Sequence, residues 1–209
     1  MKKRWIVLLS ILVVMSVLIA GCGNSNTSFA RGTIEGGKYS SEYMGLSFTL
    51  PSGWSYFDDS EIAEIMEIDE DALVERGSQY SSEILNNLAI CDMGASDDAG
   101  DVSSIALMTE NLNKTTSPNA SADDYIAALK EQLADATMPA YTIHDGISDV
   151  KVGKYTYRMF FADLAMSAGG EKLAEQYYLV RRSDNYIVLM AFTVENEAEY
   201  LELLSCFSE

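Results

Sequence analysis

A nearly continuous apolar run occurs at Tyr186-Ile187-Val188-Leu189-Met190-Ala191-Phe192-Thr193-Val194. A strand is apolar throughout only when it lies inside a sheet and both of its faces are covered. The run therefore predicts a central strand. A helix is expected from about Asn196, and its apolar side can supply part of the cover. That side comprises Tyr200, Leu203, Leu204 and Phe207.

The segments upstream of this run predict further antiparallel strands. They lie near residues 141–151, 155–166 and 172–182, with turns at Gly153, at 167–170 and at 183–185. Earlier strands are expected at 46–50, around Trp54 and Tyr56, and at 88–93 and 102–108. The polar loop 94–101 between the last two predicts a hairpin.

Two helices are expected before the last one. Asp58, Asp59 and Ser60 offer alternative caps for a helix whose apolar side carries Ile62, Ile65 and Met66. Ser121, with Asp124 three residues on, predicts the start of a second helix. Its buried stripe comprises Ile126, Leu129 and Leu133. The polar segment 69–87 predicts helical pieces broken at Gly77.

These elements predict an α+β fold, an antiparallel β-sheet with helices on both faces, or α/β/α sandwich. The segment Tyr43-Met44-Gly45-Leu46-Ser47-Phe48-Thr49-Leu50-Pro51-Ser52-Gly53-Trp54 resembles the opening hairpin of PsbP-like domains. Their pattern is an aromatic residue, Gly, apolar-x-Phe-x-apolar, then Pro-x-Gly-Trp. The order of elements over about residues 39–207 is similar too. The resemblance implies a non-enzymatic scaffold for protein or ligand contact, and the metal-handling residues of the photosystem protein cannot be placed on this sequence.

The N-terminal segment has the order of a secretion signal. Lys2-Lys3-Arg4 precedes an apolar run from Trp5 to Ala20, which is short for a helix that spans a bilayer. Leu18-Ile19-Ala20-Gly21-Cys22 resembles the lipobox of bacterial lipoproteins. The resemblance implies a diacylglyceryl group on the Cys22 thiol and cleavage before this residue. Two acyl chains would then hold the protein stably to the membrane.

The expected organisation has three parts. Residues 1–21 form the signal peptide, and residues 22–37 form the lipidated N-terminus with a flexible tether rich in Gly, Ser, Asn and Thr. Residues 38–209 form one PsbP-like α+β domain. The protein is accordingly expected at the cell membrane, lipid-anchored and facing outside the cytoplasm, with the lipid on Cys22 as its contact with the membrane.

The charge limits the partners. The chain has 209 residues, with 14 Lys and Arg against 32 Asp and Glu and a net charge of −18. Removal of the basic signal peptide makes it more negative. Such a surface repels nucleic acid, so the expected partner is an unidentified protein or small molecule.

Two further cysteines remain after Cys22. Cys91 is expected in a strand and Cys206 in the last helix, so they could pair in an oxidising exterior, although two buried thiols are the favoured interpretation. Neither has a neighbouring basic group that would activate a catalytic thiol.

The acidic clusters and the single histidine are the candidates for a metal site or a catalytic site. Asp97, Asp98 and Asp101 crowd one loop, but their spacing does not match a calcium loop. Asp69-Glu70-Asp71 fits an acidic helix start or a loop. His144 and Asp145 are adjacent, which points them to opposite faces of a strand. No catalytic, cofactor or metal residues are therefore assigned, and no cofactor is expected.

Tyrosines and one basic pair are the candidates for a binding surface. Tyrosine suits interfaces because one end of its side chain is apolar and the other polar. The aromatic residues in question are Tyr43, Trp54, Tyr56, Tyr155, Tyr157, Tyr177 and Tyr178. Arg181-Arg182 either binds an anion or a partner's carboxylate, or forms an internal ion pair.

The sequence thus predicts a membrane-anchored, extracytoplasmic lipoprotein whose domain is a non-catalytic binding or scaffold module. Two alternatives stay open. One is a cell-envelope hydrolase that uses acidic residues, since the chain has acids enough for a carboxylate pair. The other is a solute-capture lipoprotein that serves a transporter.

Overall fold

The structure is a computed structural model, and it describes residues 31–69, 73, 88–99 and 102–209. The strands are β1 (Thr33–Glu35), β2 (Lys38–Ser41), β3 (Leu46–Thr49), β4 (Trp54–Tyr56), β5 (Ala89–Asp97), β6 (Ser104–Asn111), β7 (Ala140–Ile143), β8 (Ser148–Val152), β9 (Tyr155–Ala165), β10 (Lys172–Ser183), β11 (Tyr186–Val194) and β12 (Phe207–Ser208). The helices are α1 (Asp59–Met66), α2 (Ala122–Asp135) and α3 (Glu197–Ser205), with a 3₁₀ turn at Leu112–Lys114.

The larger sheet is built around β11. Its strand order is β4-β5-β6-β11-β10-β9-β7, β8 also pairs with β9, and every pairing is antiparallel. All nine residues of β11 are buried. The prediction of a central strand at 186–194 is therefore confirmed, and the mostly antiparallel α+β fold with it.

A second sheet was not predicted. It has the order β1-β2-β3-β12, and it joins the start of the described chain to its last residues. The strand β1 lies inside the range 22–37 that the sequence assigned to a tether, so ordered structure begins before Lys38. β12 is only two residues long, and its first residue, Phe207, was expected on the last helix.

The turn at Pro51-Ser52-Gly53 does not close a hairpin. β3 pairs with β2 and β12, whereas β4 pairs with β5, so the turn carries the chain from one sheet to the other. The Asp98 amide donates to the Gly53 carbonyl at 2.7 Å and fixes the turn to the larger sheet. The opening hairpin expected at 43–54 is corrected accordingly.

Two other predicted strands differ in extent. The strand expected near 141–151 is two strands, β7 and β8, which pair with successive parts of β9. Gly146, at φ +102°, lies in the break between them and adopts a backbone conformation that L side chains rarely adopt. In the hairpin of β5 and β6, β5 continues to Asp97, so residues 94–97 are strand and not loop.

The helix starts follow the expected capping chemistry. Asp58 caps α1 with Glu61 as its reciprocal partner, and Ser121 caps α2 with Asp124. Asn196 caps α3. The helical pieces expected at 69–87 lie outside the described residues, apart from 69 and the helical residue Leu73. In the part of the chain that the structure describes, no helix is long and apolar enough to cross a membrane.

The larger sheet has an apolar cluster on each face. The first joins it to α1 and α2 through residues such as Ile65 and Leu129. The second joins it to the smaller sheet and α3 through Phe48 and Tyr200. Because a sheet and a helix share this second face, the simple α/β/α sandwich is not confirmed.

Candidate functional site

Arg181 lies on the second face of the larger sheet, near the end of β10. Its guanidinium carbon is 4.0 Å from the centroid of the Tyr155 ring and 5.5 Å from that of Tyr157, both on the neighbouring strand β9. A cation over an aromatic face is attracted by the ring's negative face. The two tyrosines therefore hold the positive charge of Arg181 without supplying a negative one.

The hydrogen-bond donors of Arg181 are not satisfied by the described residues. Its Nε and Nη2 atoms are buried and have no acceptor there, and the nearby Tyr157 hydroxyl is also buried without a partner. Burial raises the pKa of Tyr157, and the guanidinium partly opposes that rise. The region is consequently positive, rich in donors and poor in acceptors.

The turn between β2 and β3 forms one wall of this region. Gly45 has φ +64°, and a Cβ atom built there would lie 2.5 Å from Cε2 of Tyr155, so the main chain packs against the edge of that ring. Tyr43, in the same turn, makes an edge-on contact with Tyr186 at 6.2 Å between ring centroids. We call Arg181, Tyr43, Tyr155 and Tyr157 the arginine–tyrosine site.

The other described arginines all have partners. Arg31 donates to Asp59 at 2.7 Å, and Arg158 donates to Asp123 and Asp149 at 2.8 and 2.7 Å. Arg182 donates to the carbonyl oxygens of Asn119 and Ala120 at 2.8 and 2.9 Å. Among the arginines that the structure describes, Arg181 is thus the exception, and the internal ion pair considered for Arg181-Arg182 does not form within that part.

A second polar group of residues surrounds the histidine. His144 Nε2 lies 2.9 Å from Asp163 Oδ2, and its ring stacks on Phe161 at 4.2 Å between centroids. The histidine's partner is therefore Asp163 and not its neighbour Asp145. His144 and Asp145 follow the end of β7 at Ile143, so the expectation that they lie in a strand is corrected.

Asp163 belongs to a carboxylate pair. Glu175 faces it across β9 and β10 as its register partner. Lys172 Nζ contacts both, at 3.7 Å from Asp163 Oδ1 and 2.8 Å from Glu175 Oε1, and the Tyr177 hydroxyl donates to Glu175 at 2.7 Å. The histidine–carboxylate cluster is the name we give to His144, Asp163, Lys172, Glu175 and Tyr177. Lys172 offsets the repulsion that two facing carboxylates would otherwise produce.

Sequence reasoning missed this pair, although a signal for it existed. The turn predicted at 167–170 makes a hairpin of β9 and β10, and counting outward from it places residue 163 opposite residue 174, one position from Glu175. The shift in register between Lys172 and Ala174 selects Glu175 as the partner. Such a bulge cannot be read from composition.

The acidic segments do not form a metal site among the described residues. Asp97 ends β5, and Asp98 accepts a hydrogen bond from the Ser55 hydroxyl. No group of three or more potential ligands occurs in the described ranges. Asp101, Glu70 and Asp71 lie outside those ranges. That neither acidic segment binds a metal therefore stays a prediction.

Two acids are buried among the residues that the structure describes, and neither was singled out from the sequence. Glu110 of β6 accepts a hydrogen bond from the Tyr125 hydroxyl of α2 at 2.6 Å, and burial raises its pKa to about 7. Asp92, at a shift of register in β5, accepts from the Gly32 amide at 3.1 and 3.2 Å and from the Tyr39 hydroxyl. Asp92 therefore joins the two sheets.

Cys91 and Cys206 do not form a disulfide with each other. Cys91 is buried in the cluster on the first face, whereas Cys206 packs against the cluster on the second face. Burial raises the pKa of the Cys91 thiol to about 12, which keeps it protonated and unreactive at neutral pH. The favoured interpretation of two buried thiols holds for Cys91, whereas Cys206 is only partly buried. Cys22 lies outside the described residues.

Comparison with known proteins gives likeness to solved structures. No protein-family model matches the chain, and no curated protein matches it. The chain is similar to the solution structure of cyanobacterial PsbP (CyanoP) from Synechocystis sp. PCC 6803, with a TM-score of 0.48 and 13% identity. The match covers 90% of this chain and 96% of that one. No residue role is transferred from it.

Proposed function

We propose that this chain is a lipoprotein held at the outer side of the cell membrane through lipid on Cys22, and that its domain is a non-catalytic binding or scaffold module. The observation that supports binding is the arginine–tyrosine site, where a cation and buried donors lack acceptors among the described residues. The anchor is supported by the sequence Leu18–Cys22, and the acidic charge of the chain disfavours nucleic acid as a partner.

Substitution Cys22→Ala tests the anchor. The variant is expected to lose lipid labelling completely and to remain as the uncleaved precursor, because the thiol that receives the diacylglyceryl group is gone. The measurement is metabolic labelling with an alkyne fatty acid, followed by gel mobility and membrane fractionation. Cys206→Ala is the matched control and should label and fractionate as wild type. Normal labelling of Cys22→Ala would refute the anchor.

The histidine–carboxylate cluster is the observation that favours the second candidate, a cell-envelope hydrolase. Facing carboxylates beside the stacked rings of Phe161 and Tyr177 have the general layout of a glycoside-cleaving site. The contacts nevertheless favour a structural role, because Lys172 and Tyr177 already occupy Glu175. Catalysis would need one of the two carboxylates to be released from these partners.

Substitution Glu175→Gln separates these interpretations. With a structural role, the variant should lose about 1 kcal/mol of unfolding free energy, since a partly exposed ion pair and one hydrogen bond contribute that much. Urea denaturation measures this loss. Purified cell wall and chromogenic glycosides are the substrates for a parallel assay. Hydrolysis by wild type that disappears in Glu175→Gln would establish the hydrolase instead.

Solute capture for a transporter is the third candidate. It would use the arginine–tyrosine site as its binding site, so it differs from the first proposal only in its partner. Co-purification of a transporter subunit with the wild-type protein from detergent-solubilised membranes would favour it.

A further inference from the structure

The two unsatisfied nitrogen atoms of Arg181 are the ones that recognise carboxylates. Nε and Nη2 lie on the same edge of the guanidinium group, and together they form a planar fork that can donate two parallel hydrogen bonds to one carboxylate. Both atoms are buried and lack an acceptor among the described residues. A buried donor without a partner destabilises a protein. An acceptor bound at the Nε–Nη2 edge of Arg181 would therefore be stabilising.

The surrounding residues do not supply that acceptor. The Tyr157 hydroxyl interacts with Arg181, which partly opposes the rise in the pKa of Tyr157, but it is a neutral group and neither buried nitrogen meets it at hydrogen-bond geometry. None of the ion pairs within the described part of the chain includes Arg181, although acids outnumber bases more than twofold in the whole sequence. An anionic acceptor from outside these residues would satisfy both nitrogen atoms and also pair with the charge of the guanidinium group.

The charge of the chain and the shape of the site narrow the class of ligand. A net charge of −18 repels a doubly charged phosphate more strongly than a singly charged carboxylate. Tyr155 is 39% exposed, whereas Tyr157 is buried. The Tyr155 ring therefore lies between Arg181 and solvent, and a ligand that reaches Arg181 must displace this ring or stack on it. An aromatic body attached to the carboxylate would replace the contact that Tyr155 makes.

We propose that the arginine–tyrosine site binds the carboxylate of a small aromatic or apolar acid, with the Nε–Nη2 edge of Arg181 as the donor pair. Tyr157 provides a third donor, and Tyr155 packs against the ligand's apolar body. This assignment rests on the proposed binding function, and it names the ligand class for that site.

The test is a titration of the full chain, purified in detergent micelles, with benzoate. The readouts are the NMR shift of the Arg181 Nε–H group and the thermal unfolding midpoint. Benzoate should produce a saturable shift and a higher midpoint. Benzamide, which has the same shape without the charge, should do neither at equal concentration. Inorganic phosphate should bind at least tenfold more weakly than benzoate.

Variants assign the effect to the site. Arg181→Gln should weaken benzoate binding at least tenfold, and Arg181→Lys should weaken it too, because lysine keeps the charge and loses the fork. Tyr157→Phe removes one donor and should weaken binding severalfold, which provides a second variant if Arg181→Gln does not fold. Lys38→Gln removes a positive charge at an exposed position and should bind as wild type.

Three outcomes would overturn the proposal. They are the absence of a saturable shift with benzoate, equal binding of benzamide, and a benzoate effect that persists in Arg181→Gln. Tighter binding of phosphate would replace the carboxylate assignment with a phosphate one. The broader proposal is tested apart from this, since lipid labelling at Cys22 and recovery of a membrane partner do not depend on benzoate.

Discussion

Substitution Glu110→Gln is expected to stabilise the protein by about 3 kcal/mol at pH 8, relative to wild type. Burial raises the pKa of Glu110 from 4.5 to about 7, and each pKa unit corresponds to about 1.4 kcal/mol. Only one of its carboxyl oxygens has a hydrogen-bond partner among the described residues, the hydroxyl of Tyr125. Ionisation of this buried carboxyl group therefore lowers the free energy of unfolding of wild type. A neutral glutamine at the same position avoids this loss.

The sign of the pH dependence follows from the raised pKa. Below about pH 4.5 the carboxyl is protonated in both the folded and the unfolded chain, so the two proteins differ least there. As the pH rises towards 7, the unfolded chain releases the proton first, and wild type loses stability that the variant keeps. Above pH 7 the difference should be constant.

Urea denaturation of both proteins at a series of pH values between 4 and 8 measures this difference. The matched control is Glu131→Gln, which alters an exposed glutamate on α2 and should follow wild type throughout. Equal stability of wild type and Glu110→Gln at pH 8 would contradict the argument, as would a difference that shrinks with rising pH.

Substitution Asp92→Ala is expected to cost about 3 kcal/mol of unfolding free energy. The carboxylate of Asp92 is 3% exposed, and it accepts from the Gly32 amide and the Tyr39 hydroxyl. Its removal leaves the fully buried Tyr39 hydroxyl with weaker partners, the Met44 sulfur at 3.7 Å and the side chain of Ser41. Each buried donor without a good acceptor costs about 1–3 kcal/mol.

The loss should also be local. Because Asp92 fixes the segment that leads into β1, hydrogen exchange of the β1 and β2 amides should accelerate more than that of β11. Asp149→Ala is the matched control. It removes an exposed acid that pairs with the exposed Arg158, and its unfolding free energy should stay close to that of wild type. Unchanged exchange in β1 and β2 would show that Asp92 does not hold them.

Much of the larger sheet could be predicted from the sequence, because its strands follow local rules. The run at 186–194 predicted β11, and the turns at 167–170 and 183–185 predicted the hairpins around β10. Capping residues such as Ser121 located the helix starts. Each of these signals is contained in a few neighbouring residues, so no knowledge of distant contacts was needed.

The smaller sheet depends on contacts that are distant in sequence, which is why it was missed. β3 pairs with β12, and the residues that meet there, Phe48 and Phe207, are far apart along the chain. Neither β1 nor β12 is long enough to show an alternating pattern. The turn after β3 also looks like a hairpin turn, although it connects two sheets.

The candidate site was only partly within reach of the sequence. The sequence shows Arg181-Arg182 as a basic pair in an acidic domain. The different contacts of the two arginines depend on residues that are distant in sequence. Arg182 meets main-chain carbonyls of the segment before α2, and Arg181 meets the rings of Tyr155 and Tyr157. Strand alternation predicts that Arg181 and Arg182 point to opposite faces of the sheet. It does not predict which residues they contact there.

The contacts of Arg31 and Gly32 determine how the domain responds to mechanical tension on its N-terminal side. A pull on the chain before Arg31 loads the Arg31–Asp59 ion pair and the bonds from Gly32 to Asp92 before it reaches any strand pairing. β1 follows, and it is an edge strand paired only with β2. Its hydrogen bonds would then yield one after another, so the two side-chain contacts act as the first mechanical resistance of the fold.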